Sequence, residues 1–183
     1  MTGPRKVKTV AEGPDIAVSI RDAAWRQAVP SARRLCRRAA LAALAAEDGI
    51  PEPVEASIVL ADDAAVRELN RDFRQRDEAT DVLSFSGPGL DFGPGPDFGP
   101  GPLAGGPNML GDVIIAYGMA SRDADRDGKR LADHLCHLVI HGVLHLLGHD
   151  HQTASTARRM EGLEARILAD LGVADPYAEA AHG

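Results

Sequence analysis

With 183 residues, 44% of them hydrophobic, the chain can bury one sizeable core, and with only 4% aromatics that core must rest on Ala, Leu, Val and Ile. No apolar run approaches the roughly 20 residues that span a bilayer. The charged opening MTGPRKVKTVAEGPD lacks the apolar segment of a secretory signal. A net charge of −7 argues against coating nucleic acid by bulk electrostatics, though not against a local basic cleft. Cys36 and Cys136 form no recognisable framework, so a reduced, cytoplasmic setting is expected.

In chain order, residues 1–14 read as a flexible leader and 15–20 as a first strand. Ser31 is the expected N-cap of a long helix reaching about Asp48, with Gly49 as its stop. Val54 to Ala61 reads as a second strand, and Asp62 caps a short helix to about Phe73. Asp81 to Phe85 reads as a third strand. Across 86–109 the hexapeptide DFGPGP occurs twice in tandem, at 91–96 and 97–102, which predicts a mobile loop: a surface insertion or a substrate lid. Leu110 to Tyr117 reads as a fourth strand. Helices are expected over about 130–147 and 154–171, with Gly148 and Gly172 as stops, before a flexible tail at 178–183. The chain thus reads as one α+β domain, a small mixed four-stranded sheet packed with about five helices.

Six of the seven histidines fall between 134 and 151. In His141-Gly-Val-Leu-His145-Leu-Leu-Gly148-His-Asp-His151, positions i and i+4 of a helix share a face, so His141 and His145 can point at one ion. Gly148 lets the chain leave the helix and bring His151 back as a third ligand. Three protein nitrogens leave a position for water, the pattern of a catalytic zinc. His134 and His137 also lie near this face. His149 continues the four-residue spacing but follows the helix stop, so His151 is preferred. Cys136 lies roughly opposite His145 and reads as a packed side chain. The H-x3-H-x5-H spacing with its internal Gly matches the zincin-like site of metzincin proteases, whose first His is followed by a Glu general base. Here Gly142 holds that position, so the protease reading has its metal but lacks its base.

Residues 141–151 resemble the YbeY family of endoribonucleases, whose phrase is close to H-G-x-L-H-L-x-G-[YH]-D-H. Leu69-Asn-Arg-Asp-Phe-Arg74 with Ala79-Thr-Asp-Val-Leu-Ser-Phe85 resembles a second family block, Leu110-Gly-Asp112-Val-Ile-Ile a third, and Met160-Glu161 to Tyr177 the closing helix. The likeness covers about 15–177. Gln75 stands where the family usually has Gly, and His149 where it often has Tyr. The resemblance implies one Zn2+ on His141, His145 and His151, and a role for Arg74 in cleavage, where a guanidinium can hold a phosphate. It implies single-strand-specific cleavage of RNA in 3′-end maturation of small-subunit ribosomal RNA, ribosome assembly and ribosome quality control. The implied partners are ribosomal RNA, the small ribosomal subunit and assembly factors such as the Era GTPase, with no membrane or DNA. The rival readings are a metallopeptidase and a non-catalytic zinc-binding assembly factor, which a fourth ligand from His149 or His137 would favour. Asp81 and Asp112 are candidates for orienting histidines or for turn and capping roles. Arg33, Arg34, Arg37 and Arg38 form a basic stripe that either meets RNA or is simply solvated.

Overall fold

The computed structural model describes residues 13–50, 53–87 and 109–178. In chain order its elements are β1 (Asp15–Ile20), α1 (Ala23–Ala28), α2 (Ala32–Ala45), β2 (Glu55–Ala61), α3 (Asp63–Arg74), β3 (Val82–Ser86), β4 (Met109–Ala116), α4 (Tyr117–Arg126), α5 (Leu131–Leu146) and α6 (Ala154–Asp170). The expected leader, glycine–proline loop and tail lie almost wholly outside the described residues. The sheet order is β1-β2-β4-β3, with β1, β2 and β4 parallel and β3 antiparallel to β4. This is the mixed α+β sheet that the sequence predicts, with six helices among the described residues where about five were expected.

The inner strands are buried on both faces, which is why β2 and β4 read as near-continuous apolar runs. Ala56, Ile58, Leu60, Val113 and Ile115 face the larger core with α2, α5 and α6. Val59, Ala61, Ile114 and Ala116 face a smaller one with Leu83 and Phe85, under Val66 and Leu69 of α3. Ala32, Cys36, Ala39, Ala40 and Ala43 form the buried stripe of α2, so the low aromatic content becomes close packing of small side chains. Trp25 is fully buried, donates its indole N–H to the Ala61 carbonyl at 3.1 Å and meets Tyr117 edge to face.

Two helices escaped the sequence reading. Helix α1 is six residues long, too short for an apolar period, although Asp22 caps it by accepting from the Ala24 N–H. Helix α4 starts at Tyr117, where the fourth strand was expected to end, and its N-cap, Ala116, has no side chain that can accept. Its cap comes from elsewhere: Asp63 accepts from the Met119 N–H at 3.0 Å and from Arg122 at 2.7 Å. A carboxylate 56 positions away is not a local signal. Ser31 does stand at the N-cap of α2, but its side chain makes no capping hydrogen bond.

β1 is an edge strand, and its outward carbonyls are covered. Arg26 donates to the Ile20 carbonyl, Arg33 to Val18 and Arg37 to Ile16. Arg38 donates to Leu171 at 3.3 Å. Of the basic stripe on α2, three arginines therefore have intramolecular work, and the arrangement blocks strand addition at this edge.

Candidate metal centre and cleft

The site is built on one face of α5 and on how that helix ends. Gly148 adopts a left-handed φ of 87°, which lets the chain reverse. The Gly148 N–H then bonds to the His145 carbonyl and the His149 N–H to the Leu144 carbonyl, a Schellman arrangement. The turn delivers the His149 carbonyl to His145, whose Nδ1 donates to it at 2.9 Å. It also returns His151 towards the helix, with its ring centroid 5.5 Å from that of His141 and 4.9 Å from that of His145. The ligand atoms of His141, His145 and His151 all lie within 4.8 Å of one another.

His141 is held from the other side. Its Nδ1 donates to Glu164 of α6 at 2.7 Å. Glu164 also accepts from His137 Nε2 at 3.0 Å and from the Tyr177 hydroxyl. Burial alone would raise the Glu164 carboxyl, but the hydrogen bonds from His137 and His141 outweigh it and hold the group well below the usual carboxylate range. The Tyr177 hydroxyl is raised by its burial and by that carboxylate.

These tethers fix the tautomers. An ionised carboxylate and a backbone carbonyl only accept, so His141 and His145 each carry a proton on Nδ1 and each present an Nε2 lone pair. The two Nε2 atoms are 3.0 Å apart. Two lone pairs at that distance require a positive charge between them, a shared proton or a metal ion. Burial, with His141 beside it, lowers the His145 pKa from 6.5 to about 4, which disfavours the proton near neutrality. The donor set therefore fits a metal with nitrogen ligands.

Linkage gives a test. Folded His145 titrates near 4 and unfolded histidine near 6.5, so between those values the folded chain binds fewer protons. In metal-free protein, stability is full above about pH 6.5 and is lost as pH falls towards 4, by at most about 3 kcal/mol. Glu164 acts in the same direction below its ordinary 4.5. Urea unfolding of chelated protein between pH 7 and 5 is expected to show this slope, and His145→Ala is expected to flatten it. A slope unchanged by the substitution would refute the assignment.

His141, His145 and His151 line a cleft of about 260 Å3 together with Arg74, Arg76, Thr80, Asp81, Val82 and Ser84. Arg74 ends α3, donates to the Ser84 carbonyl at 3.2 Å and lies 5.8 Å from the Phe85 ring centre. Gln75 follows it at φ 58°, a left-handed position that glycine adopts more readily. A larger depression, about 980 Å3, lies along α3 between Asp62 and Ala79; it contains no histidine, and its Arg67 and Asp77 pair with each other at 2.8 Å. Asp81 reaches the cleft wall. Asp112 is fully buried beside Ser57 of β2, its carboxyl raised by that burial, and does not line the cleft. His149 Nε2 contacts Glu47 at 2.9 Å, and His137 is engaged by Glu164, so neither joins the three-histidine group.

Gly142 faces the sheet. A Cβ there would stand 2.5 Å from Val113 Cγ1 and 3.2 Å from the Ser84 hydroxyl, which donates to the Gly142 carbonyl. A glutamate at this position would enter the sheet, not the cleft, so the metzincin base has no place here. Gly142→Ala is expected to cost roughly 1–3 kcal/mol by overpacking against a stiff β-branched side chain. A lowered urea midpoint would show this; an unchanged one would mean that α5 lifts freely from β4.

A family profile described as "Endoribonuclease YbeY" matches residues 19–172. The chain belongs to the YbeY family. A Paramagnetospirillum magneticum protein named Endoribonuclease YbeY is 50% identical over 165 residues, covering 90% of this chain and 96% of that one. A Rhodospirillum rubrum protein of the same name is 45% identical over 171 residues, covering 90% and 82%. The solution structure of a Thermotoga maritima protein aligns with a TM-score of 0.50 at 17% identity, covering 85% of this chain and 91% of that one, a likeness of fold alone. Of the four YbeY phrases quoted from the sequence, those at 69–85 and 141–151 supply cleft residues, and Glu164 and Tyr177 were not singled out by any of them. A signal existed for Glu164: it sits on the apolar stripe of α6 with Met160, Leu163, Ile167 and Leu168.

Proposed function

We propose that this chain acts, as one domain over 1–183, as a metal-dependent endoribonuclease on single-stranded RNA. His141, His145 and His151 hold one ion, and Arg74 engages the scissile phosphate. Three imidazole nitrogens with an open position fit zinc. When bound, such an ion supplies Lewis acidity and a lowered water pKa. The chain's own residues do the rest: Glu164 and the His149 carbonyl hold the two ring tautomers, and Arg74 and Arg76 give a net-negative protein a local positive wall. The observation that carries the reading is the facing pair of Nε2 lone pairs in a cleft that also holds Arg74. Membership of the YbeY family supports RNA as substrate, and the sequence resemblance extends this to the 3′ end of small-subunit ribosomal RNA, with the small subunit and the Era GTPase as partners. No helix among the described residues is long and apolar enough to cross a membrane.

The test is cleavage of a labelled single-stranded RNA by zinc-loaded, chelated and His145→Ala protein. Cleavage is expected only in the first and should return when zinc is restored to the chelated sample. Cleavage surviving chelation and His145→Ala would reduce the chain to a metal-bearing assembly factor. Peptide cleavage by the zinc-loaded protein would favour the metallopeptidase.

A further inference from the structure

About two turns along α5 from His141 lies a second cluster of side chains able to ligate a metal. His134 is 7% exposed, and neither of its ring nitrogens has a hydrogen-bond partner. An imidazole buried without partners is costly and calls for an explanation. One ring nitrogen of His134 and carboxylate oxygens of Asp81 and Asp123 lie within 4.8 Å of one another. The three come from different elements: Asp81 precedes β3, Asp123 is on α4 and His134 is on α5.

The hydrogen bonds on each carboxylate fall on its Oδ1. Asp81 Oδ1 accepts from the Val82 N–H at 2.8 Å and from the Thr80 hydroxyl at 3.1 Å, and Asp123 Oδ1 accepts from Arg126 at 2.6 Å. The Asp123 side chain is only 20% exposed. Two carboxylates and an imidazole are thus gathered together, with Arg126 engaging Asp123 through its Oδ1 alone among the described residues. Burial, aided by His137, lowers the His134 pKa despite the two aspartates, which keeps the ring in the neutral form that ligates metals.

We propose that His134, Asp81 and Asp123 form a second cation site, separate from the three-histidine site and selective for a first-row divalent ion such as Mn2+. Two carboxylates and an imidazole make a mixed oxygen and nitrogen donor set, and the imidazole selects a transition metal over the all-oxygen preference of Mg2+ or Ca2+. Seven helical residues separate His134 from His141, about 10 Å along the axis. The two histidines thus sit at different levels of the helix, and the role of the second ion is structural. It ties α4 and α5 to Asp81, which lines the cleft together with the three histidines, and so fixes the cleft wall.

The test separates the two sites. Chelator-stripped protein is loaded with one equivalent of Zn2+ and titrated with Mn2+, free Mn2+ being read by electron paramagnetic resonance. Wild type is expected to bind one further Mn2+ per chain, with a rise in Tm. Asp123→Asn and His134→Gln are expected to weaken that uptake at least tenfold while each keeps its zinc and its far-ultraviolet circular dichroism. Absence of Mn2+ uptake by zinc-loaded wild type overturns the proposal, a result that no folding defect in a variant can obscure. Uptake retained by either folded variant overturns it as well. Because zinc stoichiometry and RNA cleavage are read apart, failure of the second site leaves the nuclease reading intact, and the reverse holds.

Discussion

Arg74→Ala is expected to lower kcat for RNA cleavage roughly 100- to 1,000-fold, the loss typical when one preorganised donor to a developing oxyanion is removed. Its guanidinium is already placed. The end of α3 delivers it, the Ser84 carbonyl takes one N–H at 3.2 Å and the Phe85 ring lies beneath it at 5.8 Å. It lines the same cleft as the three histidines, where a planar guanidinium can grip a phosphate through two oxygens. Arg74→Lys should recover only part of the rate, because an ammonium cannot grip two oxygens through a planar fork. Zinc stoichiometry and unfolding midpoint should stay near wild type in both variants, which separates catalysis from folding. Single-turnover cleavage within a few-fold of wild type for Arg74→Ala would remove this residue from the reaction.

Arg74 also shows how far sequence reaches. Its helix was legible because Asp62 caps it locally, whereas the left-handed turn at Gln75 that ends it was not. The histidine face of α5 was legible for the same reason: spacing along one helix and one glycine carry it. Contacts that cross the fold were not. Asp63 caps α4 from 56 positions away. The arginines of α2 bond to carbonyls of β1, where a run of like charge read equally well as an RNA surface. Gly142 read as a missing base, and only the Cγ1 of Val113 at 2.5 Å shows that the position looks into the sheet. Glu164 sat in plain view on an apolar stripe, but its partners come from α5 and the C-terminal segment.

Glu164→Gln therefore gives the most informative remaining test. The native carboxylate accepts from His141, His137 and Tyr177, and its side chain is 1% exposed. An amide of the same volume keeps one accepting oxygen and turns an NH2 towards donors. At least one of the three then loses its partner, at about 1–3 kcal/mol for each buried group left unsatisfied. Glu164→Ala leaves all three without an acceptor and is expected to cost several kcal/mol. The effect on metal is separate from the effect on folding. Without an anion on Nδ1, His141 is free to move its proton to Nε2, the nitrogen that faces His145, and every ion bound must first displace it. Zinc affinity should fall 10- to 100-fold in Glu164→Gln, as is typical when a carboxylate behind a ligating histidine is lost. Competition with a chromophoric chelator would measure this on protein shown to be folded. Wild-type zinc affinity in Glu164→Gln would mean that the His149 carbonyl behind His145 suffices to hold the site, and that Glu164 serves packing between α5 and α6 alone.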